Sequence, residues 1–383
     1  LLMHTFKGCA VQNSKIFSCS AKTTHFTNQT LQNVEGTGWS GNLIFQSKST
    51  DIHQNLALED WIETNVDLTN RRLFLLWRSH AAVVIGRHQN PWAECDLGAM
   101  WRAGVPLARR RSGGGTVYHD MGNLNLTFFS CRKLYDRQRN LKVVTEALRR
   151  ARPELDVRAT ERLDIVLNGK YKISGSASRL SRKASYHHCT LLHSADGSAL
   201  QSVLRPSTPG IHSNATPSVV SSVTNLTDHA PSLTDMSTVH FYSFSTEFGL
   251  SSPLSLLDPS DESLFPGIGC MASELRSWDW TFGKTPKFTI ETELSLSDDL
   301  TLEHTTAQLH IELKNGLISS IVITVQDQWL QQTLINELCD VLTGERFCPH
   351  RVAAAVSTLI KSEQDETQRR LHKLSNTVIS VMG

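Results

Sequence analysis

Between residues 42 and about 278, short apolar runs alternate with longer segments of helical periodicity. Runs at 43–45, 73–77 and 83–85 predict strands, and the spacing over 51–65 predicts a helix. Asn90-Pro91 predicts the start of another helix, because proline suits the first turn. A basic helix is expected over 137–150. Val117 and His119, then Leu124, Leu126 and Phe128, fall at strand spacing after a glycine-rich stretch that Arg109, Arg110 and Arg111 precede. Further on, Asn168-Gly169 joins two strand-like pieces as a favoured hairpin turn, with Tyr171 and Ile173 on one face and Lys170 and Lys172 on the other. Residues 186–193 form one more apolar run. This mixed order predicts an α+β fold of mainly antiparallel sheets flanked by helices. From Phe282 the pattern restarts, with a strand at 288–296, a hairpin over 308–325 turning at Asn315-Gly316, and helices at 331–342 and 352–360. That predicts a small α+β domain over 282–383, since about a hundred such residues can bury a core of their own.

Composition narrows the classes. With 39% hydrophobic and 20% charged residues the chain reads as an ordinary globular protein, and its net charge of +1 gives no general attraction to nucleic acid or anionic membrane. No apolar run approaches the ~20 residues needed to cross a bilayer. Eight scattered cysteines without a Cys-x-x-Cys pair suggest free thiols in a reducing compartment. Residues 1–41 differ from the rest: Lys7, Lys15 and Lys22 stand among ten Ser or Thr residues, and the first acidic side chain is Glu35. An acid-poor, hydroxyl-rich, cationic leader predicts an organelle transit peptide, drawn inward by a negative-inside potential, although a disordered tail shares that composition.

The least ordinary stretch is 108–129, where Arg109, Arg110 and Arg111 precede Ser112 and three glycines, Gly113, Gly114 and Gly115. Successive glycines are costly to order, so something must approach that backbone closely. A cationic, side-chain-free turn suits an anionic ligand with a thin portion; a flexible hairpin beside a basic patch is the plainer alternative. The spacing fits neither a Walker A loop nor the dinucleotide fingerprint. Lys172 runs into a second small-residue bend, Ser174-Gly175-Ser176. His187 and His188 would point to opposite faces of a strand, and no neighbouring ligand set completes a metal site. Cys189, inside an apolar run, reads as a small core residue rather than an acyl-carrying nucleophile. Residues 205–238 are Ser/Thr-rich with four prolines, as in a surface loop.

Taken together, RRRSGGGTVYHDMGN at 109–123 and KISGSA at 172–177 resemble the lipoate-protein ligase and lipoyltransferase family. The resemblance extends over roughly 42–350 through the blocks at 54–61, 84–92, 186–192, 278–280 and 283–288, several of them similar to vertebrate mitochondrial members. It implies a catalytic domain over 42–278 of the biotin/lipoate-protein ligase type, followed by the small accessory domain. It also implies transfer of a lipoyl group from an activated donor to a lysine of the lipoyl domains of 2-oxoacid dehydrogenase complexes. The donor would be lipoyl-AMP, lipoyl-GMP or the lipoylated H protein of glycine cleavage. No tightly bound cofactor is implied, and magnesium only if the chain activates lipoate itself; a complete ATP-dependent ligase and a non-catalytic binding module are the alternatives. Residue by residue, the family pattern makes Lys172 catalytic and places Gly113, Gly114 and Gly115 along the acyl tail, with Arg110 bracing them and Ser112 among the lipoyl- or nucleotide-binding residues. Tyr118 and His119 would line the pocket. Arg162, Asp164 and Thr190 would face the nucleotide side, and Thr216, Val219 and Ser221 would belong to a loop folding over it.

Overall fold

A computed structural model describes residues 43–232, 236–249, 254–296, 305–326, 329–363 and 365–383; the leader at 1–41 lies outside the described residues. The central sheet has six strands in the order Ser176–Leu180, Ala184–Leu192, Asn123–Cys131, Arg72–Trp77, Leu43–Ser47 and Ser255–Leu257. The last two pairings are parallel and the other three antiparallel.

Alternation along these strands divides the sheet into two unlike faces. Leu124, Leu126, Phe128, Phe74, Leu76, Cys189 and Leu191 point to one side, where they form a buried core with Leu141, Val144 and Leu148 of the helix Arg137–Ala151. The register pairs Trp77 with Asn125, Leu75 with Thr127, His188 with Thr127 and Thr190 with Asn125, so these largely polar residues share the opposite face. Apolar burial holds the sheet from behind, and the polar face is left for a ligand.

The helix Ile52–Asn65 crosses that polar face. Asp51 caps it by accepting from the Gln54 amide at 2.9 Å, and the helix packs against Ile268–Arg276. A second sheet orders Leu107–Arg109, Ala82–Ile85 and Val117–His119. The strands on either side of the triglycine therefore do not pair with each other as a hairpin; both pair with Ala82–Ile85, one parallel and one antiparallel. A third sheet, Val157–Ala159, Ile165–Leu167 and Tyr171–Ser174, carries the lysine hairpin. Asn168 and Gly169 there have φ of 53° and 65°, the two left-handed residues that a tight two-residue turn requires.

The fourth sheet combines Ile211–Ser213 with Phe288–Ser295, Thr306–Lys314 and Leu317–Val325, under the helices Gln332–Leu342, Pro349–Lys361 and Asp365–Ser380. Trp92 is fully buried in the same apolar cluster as Phe288, Ile311 and Phe347. The C-terminal region thus packs around one strand and one tryptophan from earlier in the chain. Among the described residues no helix is long and apolar enough to cross a membrane.

Candidate functional site

A cavity of about 310 Å³ opens between the polar sheet face, the glycine loop, the lysine hairpin and residues 216–219. The glycine loop is held by its own arginines. Arg110 is buried and donates to the Val84 carbonyl at 3.0 Å, to Gly113 at 3.1 and 2.7 Å, and to Gly115 at 2.6 Å. Burial lowers its pKa to about 10, still fully cationic near neutrality. Arg109, also buried, donates to the carbonyls of Gly86, Arg87, Gln89 and Thr281 and to Thr285 Oγ1. Arg111 pairs with Asp60 at 2.8 Å and with Glu274 at 2.7 Å. The arginine run is a scaffold and not a solvated basic patch.

The glycines are required mainly by the protein itself. A Cβ on Gly86 would lie 2.1 Å from the Gly114 carbonyl oxygen. Gly114 has φ of +87°, and a Cβ there would meet Arg110 Nη2 at 3.0 Å and Ala177 Cβ at 3.2 Å; one on Gly115 would meet Ser218 Oγ at 3.1 Å. At Gly113 a Cβ meets nothing of the protein within 4 Å, so the fold itself does not require a glycine there.

Lys172 lines the cavity, and its Nζ lies 2.9 Å from Asp164 Oδ1. Its backbone is clamped by residues 222–224: the Lys172 amide donates to the Ser222 carbonyl at 3.0 Å, and the Thr224 amide donates to the Lys172 carbonyl at 3.2 Å. Gly175 makes room for the ammonium, since a Cβ there would stand 3.2 Å from Lys172 Cε and 3.4 Å from Nζ. Thr190 Oγ1 fixes Gly175 by accepting from its amide at 3.1 Å. Arg110, Gly114, Gly115, His119, Arg162, Asp164, Thr190, Thr216 and Val219 join Lys172 around the cavity.

Four expected positions fall elsewhere. Tyr118 packs with Val83, Ile85 and Met100 in a separate apolar cluster, because neighbours on a strand point to opposite faces and Val117 and His119 take the cavity side. Ser221 is exposed outside the cavity. Gly113 lies behind the lining, its carbonyl turned to Arg110. Ser112 is buried there too, its hydroxyl 2.9 Å from His188 Nε2.

That last contact belongs to a network that sequence reasoning missed. His188 Nδ1 lies 3.1 and 3.2 Å from the Glu59 carboxylate, Glu59 accepts from Thr127 at 2.5 Å, and Trp77 Nε1 donates to Thr127 Oγ1 at 3.2 Å. The Ser-His-Glu series looks like a nucleophile relay, but Ser112 is only 1% exposed and does not line the cavity. It ties the glycine loop to the sheet. A second network closes the other side: Glu94 accepts from the Ser218 amide at 3.1 Å, from the Ser218 hydroxyl and from Thr116 Oγ1 at 3.0 Å, while Gln89 donates to Ser218 Oγ at 3.0 Å. Residues 22 to 129 positions apart make both networks, so no local motif could announce them.

Cys189 sits in the apolar core, and burial pushes its thiol up to about 12. It also borders the cavity, where a thiol raised in this way stays protonated near neutrality. His119, 4% exposed, has no hydrogen-bond partner on either ring nitrogen, and burial, with Arg110 and His188 nearby, lowers its pKa to about 3. Among the described residues no group of three or more His, Cys, Asp or Glu side chains could hold a metal ion.

The family model for the lipoyl protein ligase A/B catalytic domain matches residues 51–244, the stretch that contains this whole cavity. The chain is 46% identical over 324 residues to the human mitochondrial lipoyl amidotransferase LIPT1, covering 84% of this chain and 86% of that protein. It is 33% identical to lipoate-protein ligase A of Psychrobacter cryohalolentis, covering 84% of this chain and 94% of that one. In fold it is similar to P. falciparum LipL1, solved in complex with lipoate, with a TM-score of 0.57, 23% identity and coverage of 88% of this chain and 99% of that chain. On the family match and on these identities, the chain belongs to the lipoyl protein ligase A/B family.

Proposed function

We propose that this chain is a lipoyl amidotransferase of the mitochondrial matrix. It takes a lipoyl group from an activated donor, lipoyl-AMP, lipoyl-GMP or a lipoylated H protein of glycine cleavage, and joins it to a lysine of the lipoyl domains of 2-oxoacid dehydrogenase complexes. The observation that carries this reading is the ammonium of Lys172, held by Asp164 and admitted by Gly175 where the cavity meets Arg162 and Thr190. In the reaction with an acyl-nucleotide, the acceptor amine attacks the lipoyl carbonyl, the C–N bond forms and the C–O bond to phosphate breaks. The nucleotide leaves with the bonding electrons, and the amine proton passes to solvent. Lys172 stabilises the negative charge that grows on the carbonyl oxygen, an interaction stronger in the transition state than in the ground state. The acyl tail lies against the glycine loop; burying about six methylene equivalents contributes on the order of 5 kcal/mol at ~0.8 kcal/mol each. Thr216 and Val219, latched through Ser218 to Glu94, cover the donor.

Making an acyl-adenylate from free lipoate adds a stricter geometric demand, with ATP and magnesium in line with the carboxylate. The protein is therefore expected to modify an acceptor domain when given lipoyl-AMP or lipoylated H protein, but not when given lipoate, ATP and magnesium. Product from free lipoate with matching pyrophosphate release, measured by mass spectrometry and a pyrophosphate assay, would make it a complete ligase instead.

A further inference from the structure

Positive charge gathers at one end of the central sheet, although the whole chain has a net charge of only +1. The register sets Cys131 opposite Ala184, Ser130 opposite Arg72 and Leu180 opposite Ser185, so four strands begin or end together there. The Arg132 amide donates to the Lys183 carbonyl at 3.2 Å, which brings Arg132-Lys133 beside Arg182-Lys183. Arg137 follows in the first turn of the helix Arg137–Ala151. These five side chains are exposed, and among the described residues none of them forms an ion pair. The acids nearby, Asp67, Asp136 and Glu161, are fewer, and two are engaged locally. Asp67 accepts from the Thr69 amide and hydroxyl at 3.0 and 2.7 Å, and Asp136 caps the helix by accepting from the Arg139 amide at 3.0 Å. Unpaired like charges gathered on one rim repel, and an anionic partner would relieve that repulsion.

The basic rim leads towards the donor cavity. An open hollow beside it is lined by Lys133, Asp136, Arg137, Glu161 and Leu163, whereas Arg162 and Asp164 line the cavity that holds Lys172. The stretch 161–164 is therefore the wall between the two. Leu163 holds it in an unusual left-handed turn, φ 64°, with its amide donating to the Thr160 carbonyl at 2.9 Å and its carbonyl accepting from the Ser176 hydroxyl at 2.7 Å. From Ser176, at the cavity, the strand reaches the basic end at Leu180, about 13 Å away at ~3.3 Å per residue. A domain of about 100 residues, with a radius of gyration of about 13 Å, can cover both at once. We propose that this basic end of the sheet is the docking surface for the acceptor domain, seating a carboxylate-rich face of it while its lysine enters the cavity beside Lys172. The inference rests on the proposed lipoyl transfer. Charges at the rim of an interface act on the encounter and orientation of the partner, so they should govern acceptor recognition and leave the chemical step alone.

The test uses the full chain with lipoyl-AMP and one acceptor lipoyl domain. Lys133→Glu with Arg137→Glu, and separately Arg182→Glu with Lys183→Glu, should each raise KM for the acceptor domain on the order of 10-fold, with kcat and KM for lipoyl-AMP little changed. Lys361→Glu with Lys373→Glu, an equal change of net charge on the exposed faces of the C-terminal helices, should leave all three constants alone. Raising ionic strength from about 0.05 to about 0.3 M should raise the acceptor KM of the wild type and narrow its advantage over the two rim variants. An unchanged acceptor KM in both rim variants, an equal rise in the C-terminal variant, or a fall in kcat in place of the rise in KM would overturn the docking surface. Calorimetric binding of the acceptor domain without donor keeps the two inferences separate. Absence of transfer by the wild type contradicts the transfer reading; acceptor binding that the rim variants lose would still support the surface. Binding of equal strength by wild type and rim variants, or binding to phosphatidylserine vesicles with none to the acceptor domain, would overturn it.

Discussion

A single ammonium is asked to do the chemistry, so it is where the account is easiest to break. Lys172→Met should leave the fold intact and lower transfer by roughly 10² to 10³, the effect of removing one preorganised oxyanion donor. Lys170→Met is the matched control, because Lys170 is exposed and only overlies the Tyr171 ring at 4.9 Å. Steady-state rates of the two variants decide the point, and a Lys172 variant within threefold of wild type would remove that residue from the mechanism. Lys172, Arg110 and His119 were legible in the sequence because each lies in a compact motif whose residues stay together in the fold. Glu59 and His188 were not: they meet across 129 positions, where the helix Ile52–Asn65 packs on the strand Ala184–Leu192. Nor could spacing show that Gly175 is small to admit the lysine head group.

Elements set the position of these residues. The strand Asn123–Cys131 is buried along its whole length, and its alternation of Asn or Thr with Leu or Phe over 123–128 shows in sequence which face builds the core. The glycine loop is less transparent, because its need for glycine depends on a neighbouring strand. Gly86→Ala would drive a methyl group into the Gly114 carbonyl, so it should destabilise the protein by on the order of 3 kcal/mol. Gly113→Ala points into open space and should stay within about 0.5 kcal/mol of wild type. Denaturant titration of both variants measures the contrast, and equal stability would refute the packing described for the loop. On the other wall, Glu94→Gln keeps the side-chain shape but removes a charged acceptor for the Ser218 amide and hydroxyl. It should raise KM for the acyl-nucleotide by about 10-fold with kcat little changed, and hydrogen exchange at 216–223 should quicken. An unchanged KM would release Glu94 from this role.

At the level of the whole molecule, buried neutral histidines couple the fold to pH. Burial lowers the pKa of His119 and His187 to about 3 and that of His53 to about 4, from an ordinary 6.5. The unfolded chain binds their protons below pH 6.5 and the folded chain does not, so stability is full above that pH and is lost on acidification. Between pH 6.5 and 5 each fully buried histidine should cost about 2 kcal/mol, at 1.36 kcal/mol per pH unit. A Tm that stays level from pH 7 to 5 would contradict their burial. Across the chain, the sequence separates an α+β part ending near 278 from a second one, yet Trp92 and the strand Ile211–Ser213 pack into the later core, a long-range pairing invisible to periodicity. The helix Asp365–Ser380 buries Leu371, Leu374 and Val378 at helical spacing, a pattern present in the sequence beyond the two C-terminal helices predicted from it. All of these parts serve the proposal that one cavity passes a lipoyl group to a protein lysine. The most direct test is the intact mass of an acceptor lipoyl domain after incubation with lipoyl-AMP and catalytic amounts of this protein. The account predicts one added lipoyl group on a single lysine with the wild type and almost none over the same time with Lys172→Met; an unmodified domain with the wild type, or equal modification by both proteins, would contradict it.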